Sequence, residues 1–404
     1  MKKVINVLLI MVSLLVFSVP PGFTAEKQKI EVWHRWTGIH EKLFTQIVDK
    51  FKVTNPNIDV QVEVIPGQYI NLTQKLLARL AAGQTPPDVV FSGYNFLGYM
   101  ATEFGAVPLD KLGIVNPKQF VNGTLKTGQI NGKQYGLPFG ISSAVVYTNP
   151  ELFAKAGVAE SDIKTWAGLA KAAKAISSLP NKKGIYISNV DTFVLQAMVE
   201  SAGGNMMKDG KATFNSKAGS NALVTWRDLY KDGSIPRITY AEAQTAFVSG
   251  QIGMMVTSIM NLGSFSKQAN FPLHALPFPH FGIKPVRLSS GGTAAMLFSR
   301  TADRKKAGAE FMRFLTTKES ATIWAESGYL SAIKGIEPIS ANQAVAYSQL
   351  VNCVAWVNWP GSNSLEIEKV ILNWRDKMLY GEVDIKSGMG DAEKAVNELI
   401  VSGK

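Results

Sequence analysis

One cysteine, Cys353, in 404 residues means that no intrachain disulfide can form, so a chain of this length must hold itself together by packed cores. Histidine is nearly as scarce. The four occur as His34 with His40 and His274 with His280. Neither spacing is a helical i,i+4 ligand pair and no cysteine cluster accompanies them, so no metal site is expected and they read as surface or capping residues. There is no Gly-x-Ser-x-Gly elbow, Walker loop, Gly-x-Gly-x-x-Gly fingerprint or His-Glu-x-x-His helix, and so no sign of catalysis or of a cofactor. Paired glycosidase carboxylates stay open as an alternative, because separation in sequence says nothing about separation in space. Lys and Arg number 42 against 31 Asp and Glu, a formal charge of +11. The cations are dispersed without an aromatic and basic stripe, which argues against a nucleic-acid groove.

Long apolar runs are also missing, with one exception. Lys2 and Lys3 precede Val4–Val19, which Pro20, Pro21 and Gly22 end. That run is short against the roughly 20 residues of a spanning helix and no stop-transfer pattern follows it. It reads as an export signal (1–25) removed after Ala25, with a retained anchor as the alternative; no cysteine follows, which excludes a lipoprotein signal.

Beyond the signal, strand and helix patterns alternate. Ile30–Trp33 reads as a strand, Thr37 as the N-cap of a helix with Ile39, Leu43, Ile47 and Phe51 on one face, and Asn55-Pro56 as its stop. Val60, Val62 and Val64 alternate with polar residues in a half-exposed strand, Tyr69 to Leu80 is a helix closed by Gly83, and Asp88–Phe91 is a short apolar strand. Asn131-Gly132 signals a hairpin, and the segment from Tyr135 to Tyr147 enters an extended strand. A second α/β unit follows, with Asn149-Pro150 and Thr165-Trp166 opening helices, strands near 185–188 and 252–256, and helices near 192–202, 216–231 and 239–249. A third stretch starts at Ser289-Ser290-Gly291-Gly292, with a strand over Ala294–Phe298, a helix over Asp303–Leu315 and a capping box at Thr316-x-x-Glu319. Arg304-Lys305-Lys306 reads as a solvated helix face, and the chain from about 338 is mostly helical.

Aromatic residues in polar, loop-like settings stand out: Trp36 beside Arg35, Tyr69, Tyr94, Tyr329, Trp356 and Trp359. Flat rings among hydrogen-bonding groups suit a sugar, and Trp36, Tyr94 and Trp359 are expected to form its stacking surface. Trp33, Trp166, Trp226, Trp324 and Trp374 fit strand or helix patterns and are expected in the core. Arg35, just before a helix N-terminus, could hold an anion.

The run Tyr147-Thr-Asn-Pro-Glu-Leu-Phe-Ala-Lys-Ala-Gly157 with Thr165-Trp166, then Gly291-Gly292, Lys306–Leu315 and Gly328-Tyr329-Leu330, resembles family 1 of the extracellular solute-binding proteins, the carbohydrate-type receptors of ABC importers. The resemblance covers about 30–400 and is closest in pattern to the glycerol-3-phosphate receptors, through Trp33-His34. It implies an α/β fold of two lobes joined by a multi-strand hinge, with the ligand in the cleft between them. Residues 26–142 and 289–337 would form the N-terminal lobe, and 143–288 and 338–404 the C-terminal lobe. The family pattern places ligand contacts at Tyr69, Tyr94, the hinge Ser142, Ser258, Gly291, Gly292 and Tyr329. Two departures matter: Tyr94 stands where a carboxylate binds glycerol hydroxyls, and Trp359-Pro360-Gly361 replaces the neighbourhood of a phosphate-binding arginine. Rings in place of charges favour a mono- or short oligosaccharide over glycerol-3-phosphate, a glycerophosphodiester or an acidic sugar. The expected protein is a monomeric periplasmic receptor that takes no cofactor, binds no nucleic acid and hands its sugar or polyol to membrane permease subunits. A secreted polysaccharide-active enzyme is the rival class.

Overall fold

The structure, a computed structural model, describes residues 27–403, so the expected signal lies outside the described residues. Strands β1 (Gln28–His34), β2 (Ile58–Val64) and β3 (Val89–Gly93) form one parallel group, with β1 in the middle: Val32 sits opposite Val62 on one side and Val89 on the other. The alternation in β2 is only partly realised. As the edge strand it buries Val60, while Val62 remains 40% exposed. Strand β4 (Gly136–Ser142) leads through Ser143 alone into β5 (Ala144–Thr148), which belongs to a second sheet. That sheet is completed by β6 (Lys183–Ile187), β7 (Ile252–Ser258) and β8 (His274–Pro277), in the order β8-β5-β7-β6. The chain returns to the first sheet as β9 (Leu288–Leu297), antiparallel to both β3 and β4, and β10 (Cys353–Ala355) pairs with the start of β9.

Strand β9 is longer than its sequence suggests. Gly291 and Gly292 look like punctuation, yet they lie inside the strand, because the neighbouring chain comes too close for a side chain. A Cβ on Gly292, whose φ is 126°, would meet the Gly140 carbonyl oxygen at 2.1 Å. The bulge between Thr293 and Ala294 follows at once.

Local capping holds in most places. Asn149 accepts from the amides of Glu151 and Leu152, Thr165 accepts from that of Gly168, and Asn131 and Gly132 take φ of 49° and 77° in the hairpin. Two caps move by one residue. Gly38, at φ 63°, rather than Thr37 precedes the helix Ile39–Thr54, and Thr317 rather than Thr316 caps Lys318–Ala325, since the Thr316 hydroxyl turns back to the Arg313 carbonyl. Arg304 also departs from expectation. It is not merely solvated: it donates to the 2%-exposed carboxylate of Asp88 at 2.5 Å, and Asp88 further accepts from the Glu31 amide and the Ser299 hydroxyl, each at 2.8 Å. The carboxylate therefore fastens β1 to the start of β3 and to the helix Ala302–Leu315.

Four of the five tryptophans expected in cores are fully packed; Trp374 is half-buried. Trp166 lies 5.4 Å from Phe278 and 5.6 Å from Phe281, centroid to centroid. Trp166→Ala is expected to lower unfolding stability by about 3–5 kcal/mol, read from denaturant melts.

Candidate functional site

The carboxyl ends of the parallel strands in the two sheets face each other across a cleft of about 770 Å³. This is where ligand crevices form in open α/β sheets. The chain leaving β1 supplies Arg35, Trp36 and His40, and the turn after β2 supplies Pro66, Gly67 and Gln68. From the other sheet, the segment after β6 supplies Ser188, Asp191 and Phe193, and the end of β7 supplies Thr257, Ser258, Met260 and Asn261. Tyr240 and Gln244, one turn apart on the helix Tyr240–Val248, complete that wall.

Arg35 is held from three sides. Its guanidinium lies 4.3 Å above the Tyr69 ring, donates to the Gly67 carbonyl at 3.0 Å, and contacts the Met260 sulfur of the opposite wall at 3.6 Å. Its Nε is buried without a partner. Trp36 packs among His34, Phe44, Phe91, Phe139 and Trp324, with centroids 4.6–5.9 Å away, and its buried Nε1 likewise has no partner. On the far wall, Tyr240 bonds Thr257 at 3.0 Å and accepts from Asn261 at 2.8 Å, and Gln244 donates to Asn261 at 3.1 Å. Asp191 accepts only the Phe193 amide, at 3.0 Å, and its backbone is clamped by Arg375, which donates to the carbonyls of Asn189 (2.7 Å) and Asp191 (3.2 Å). Burial raises the Asp191 carboxyl above its ordinary range, against the Phe193 amide and the cations Arg35 and Arg375.

Two histidines depart from the surface reading. His34 and His40 are buried, at 1% and 7% exposure, and desolvation pushes both down to about 4, with Arg35 adding to the effect on His40. His34 Nδ1 accepts the Trp36 amide at 3.1 Å. His40 Nε2 donates to the Met260 carbonyl at 3.1 Å, which fixes the tautomer.

The residues singled out in the sequence are distributed as follows. Arg35, Trp36 and Ser258 line the cleft. Tyr69, Tyr329 and Ser142 stand directly behind it: the Tyr69 and Tyr329 hydroxyls are 3.4 Å apart, and Ser142 bonds Ser258 at 2.8 Å across the two sheets. Gly291 and Gly292 lie in β9, where a Cβ on Gly291 would be 2.6 Å from the Phe193 ring. Trp356 backs Phe193 at 5.4 Å and donates to Thr192 at 3.0 Å. Tyr94 and Trp359 are buried and are not among the residues lining the cleft. Tyr94 donates to the Gly140 carbonyl at 3.4 Å, and the loop of Trp359 is bound to the first lobe through Asn358, which bonds Gly98 and Tyr94. The expected three-ring surface is therefore not assembled; of those rings only Trp36 reaches the cleft. Asp191, Tyr240, Gln244 and Asn261 escaped the sequence reading. Asp191 and Asn261 follow strands β6 and β7, so the strand-end rule that singled out Trp36 could have found them. Among the described residues no group of three or more His, Cys, Asp or Glu could hold a metal ion, and no helix is long and apolar enough to cross a membrane.

Two α/β sheets, crossed repeatedly by the chain and enclosing a polar cleft, define a two-lobed binding-protein architecture. An ABC substrate-binding protein from Listeria monocytogenes, solved with cycloalternan, superposes with a TM-score of 0.83 at 21% identity over 93% of this chain and 99% of that one. In sequence, the sn-glycerol-3-phosphate-binding periplasmic protein of Brucella abortus is 28% identical over 92% of this chain and 93% of its own length. The arabinooligosaccharide-binding protein of Bacillus subtilis is 26% identical over 57% of this chain and 55% of its own. Residues 46–349 match the bacterial extracellular solute-binding protein family, and the chain belongs to that family.

Because both buried histidines are neutral in the folded state and return towards 6.5 on unfolding, their contribution to stability is full above about pH 6.5 and is lost as pH falls towards about 4. His40→Gln is expected to flatten part of that acid limb, measured as the pH dependence of the urea midpoint.

Proposed function

We propose that the chain is the exported, monomeric receptor of an ABC importer, which captures a mono- or short oligosaccharide between its lobes, carries it to membrane permease subunits and does no chemistry on it. The observation that carries this reading is the character of the two cleft walls. One ends in the Arg35 guanidinium and the Gln68 amide, the other in the side chains of Asp191, Tyr240, Gln244, Thr257, Ser258 and Asn261. Such a set offers donors and acceptors to ring hydroxyls from both sides, with Trp36 and Phe193 as apolar surface. Contacts to both lobes exist together only when the cleft is shut, so ligand shifts the population towards closure. The names of the relatives, an arabinooligosaccharide-binding protein and a cycloalternan complex, support the sugar class.

A second reading rests on one observation: three cations, Arg35, Lys42 and Lys267, line the cleft against the single carboxylate Asp191. With the Arg35 Nε unpartnered, a phosphorylated polyol or acidic sugar would find charge-assisted donors there. The relative that binds sn-glycerol-3-phosphate belongs to this alternative.

Saturation with the best ligand of a calorimetric sugar and polyol-phosphate screen is expected to reduce the radius of gyration and to add about 2.7 kcal/mol of stability at a hundredfold excess over Kd. Scattering curves that coincide with and without that ligand would remove the closure mechanism. Tyr240→Ala is expected to weaken binding by about 1–3 kcal/mol with the fold intact, whereas Trp359→Ala should cost stability and leave affinity largely unchanged. Titration at two salt concentrations separates the ligand classes: a neutral sugar is nearly insensitive to salt, while a steep dependence abolished by Arg35→Ala assigns the anionic class.

A further inference from the structure

Behind the cleft lies a small cavity of about 10 Å³, room for about one water. Its walls come from both lobes: Tyr69 and Asn95 on one side, Asp191, Trp356 and Glu368 on the other. Glu368 belongs to the helix Ser364–Leu379, which packs on the second-lobe helix Lys217–Lys231, and it is 2% exposed. Its Oε1 accepts the Asn95 amide at 3.3 Å and the Thr192 hydroxyl at 3.1 Å. Asn95 lies two residues beyond β3 of the first sheet, and Thr192 follows the cleft residue Asp191. A carboxyl group thus lies buried in the seam between the lobes, and the Oδ1 of Asn95 is buried there without a partner.

We propose that Glu368 is a protonation-controlled latch: the acid form is accommodated in the closed seam, and the carboxylate favours separation of the lobes. The proposal rests on the reading that the lobes open and close. Of the groups around Glu368, Asp191 across the cavity opposes its ionisation and Arg375 on the same helix favours it; Tyr69, Asn95, Thr192 and Trp356 are neutral. Burial dominates and, with Asp191, pushes Glu368 up to about 7 against the bonds from Asn95 and Thr192 and the charge of Arg375. In an opened seam the carboxyl returns towards 4.5. The closed state therefore binds the proton more tightly, and the contribution of Glu368 to closure is present in acid and lost as pH rises through about 7. The closed-to-open ratio changes by at most about tenfold per pH unit from this group.

His40, at the other contact between the lobes, is shifted in the opposite direction, so the test is a difference between proteins and not a single profile. Small-angle scattering is measured on the ligand-free full chain at about pH 4 and about pH 8, for wild type and the isosteric Glu368→Gln. The two are expected to coincide in acid, and wild type to have the larger radius of gyration in base. Asn95→Asp, which adds a second carboxyl from the first lobe, is expected to expand the protein further in base and keeps the test available if Glu368→Gln does not fold. Wild-type and Glu368→Gln radii that agree at both pH values, or an Asn95→Asp variant no larger than wild type in base, would overturn the latch. A sugar screen without a hit would instead fault the receptor reading and leave the scattering difference standing.

Discussion

The approach of β4 to β9 is the constraint on which the two lobes depend. The main chain of Gly140 comes so near Gly292 that no side chain fits between them, and Ser142, two residues further on, already bonds Ser258 of the second sheet. With Ser143 as the only residue between β4 and β5, the crossing has almost no slack. Relative motion of the sheets must then be absorbed in the dihedral angles of very few residues, as hinges generally do. Gly291 and Gly292 permit the contact and also leave room for Phe193, which carries the constraint to the wall of the cleft.

Met260 performs the complementary task at the front. One residue of the second lobe gives its carbonyl to His40 and its sulfur to Arg35 and Tyr329, all of the first lobe. A thioether is soft and unbranched, so it can part from and rejoin such partners without leaving an unsatisfied charge. The ion pair of Asp88 with Arg304 and the clamp of Arg375 on the Asp191 loop each lie within one lobe.

Much of the frame was legible in the sequence. Strand and helix alternation, the Asn131-Gly132 hairpin, the Asn149 and Thr165 caps and the passage between sheets at Ser142 follow from local propensity and turn chemistry, which act over a few residues. The site was less legible, for a physical reason. Whether a ring after a strand faces a cleft or a core is decided by tertiary neighbours: Trp359 sits beside a Pro-Gly loop like a surface residue, yet Asn358 anchors that loop to the first lobe. Tyr240 and Gln244 carry no local mark at all, since a helix with two polar residues one turn apart ordinarily faces solvent. His34 and His40 misled in the same way, because an imidazole is buried only where a backbone partner stands ready, and those partners, the Trp36 amide and the Met260 carbonyl, are supplied by the fold.

Cys353, on β10 beside the hinge, carries one more consequence. Burial pushes its half-buried thiol up to about 12, so the thiolate is scarce at neutral pH. Thiol exchange proceeds through the thiolate, so burial of Cys353 slows its attack on oxidants and disulfide carriers. A thiol held in that form is a slow partner for mixed disulfides and covalent dimers, and the sulfhydryl of Cys353 packs chiefly as a small apolar side chain.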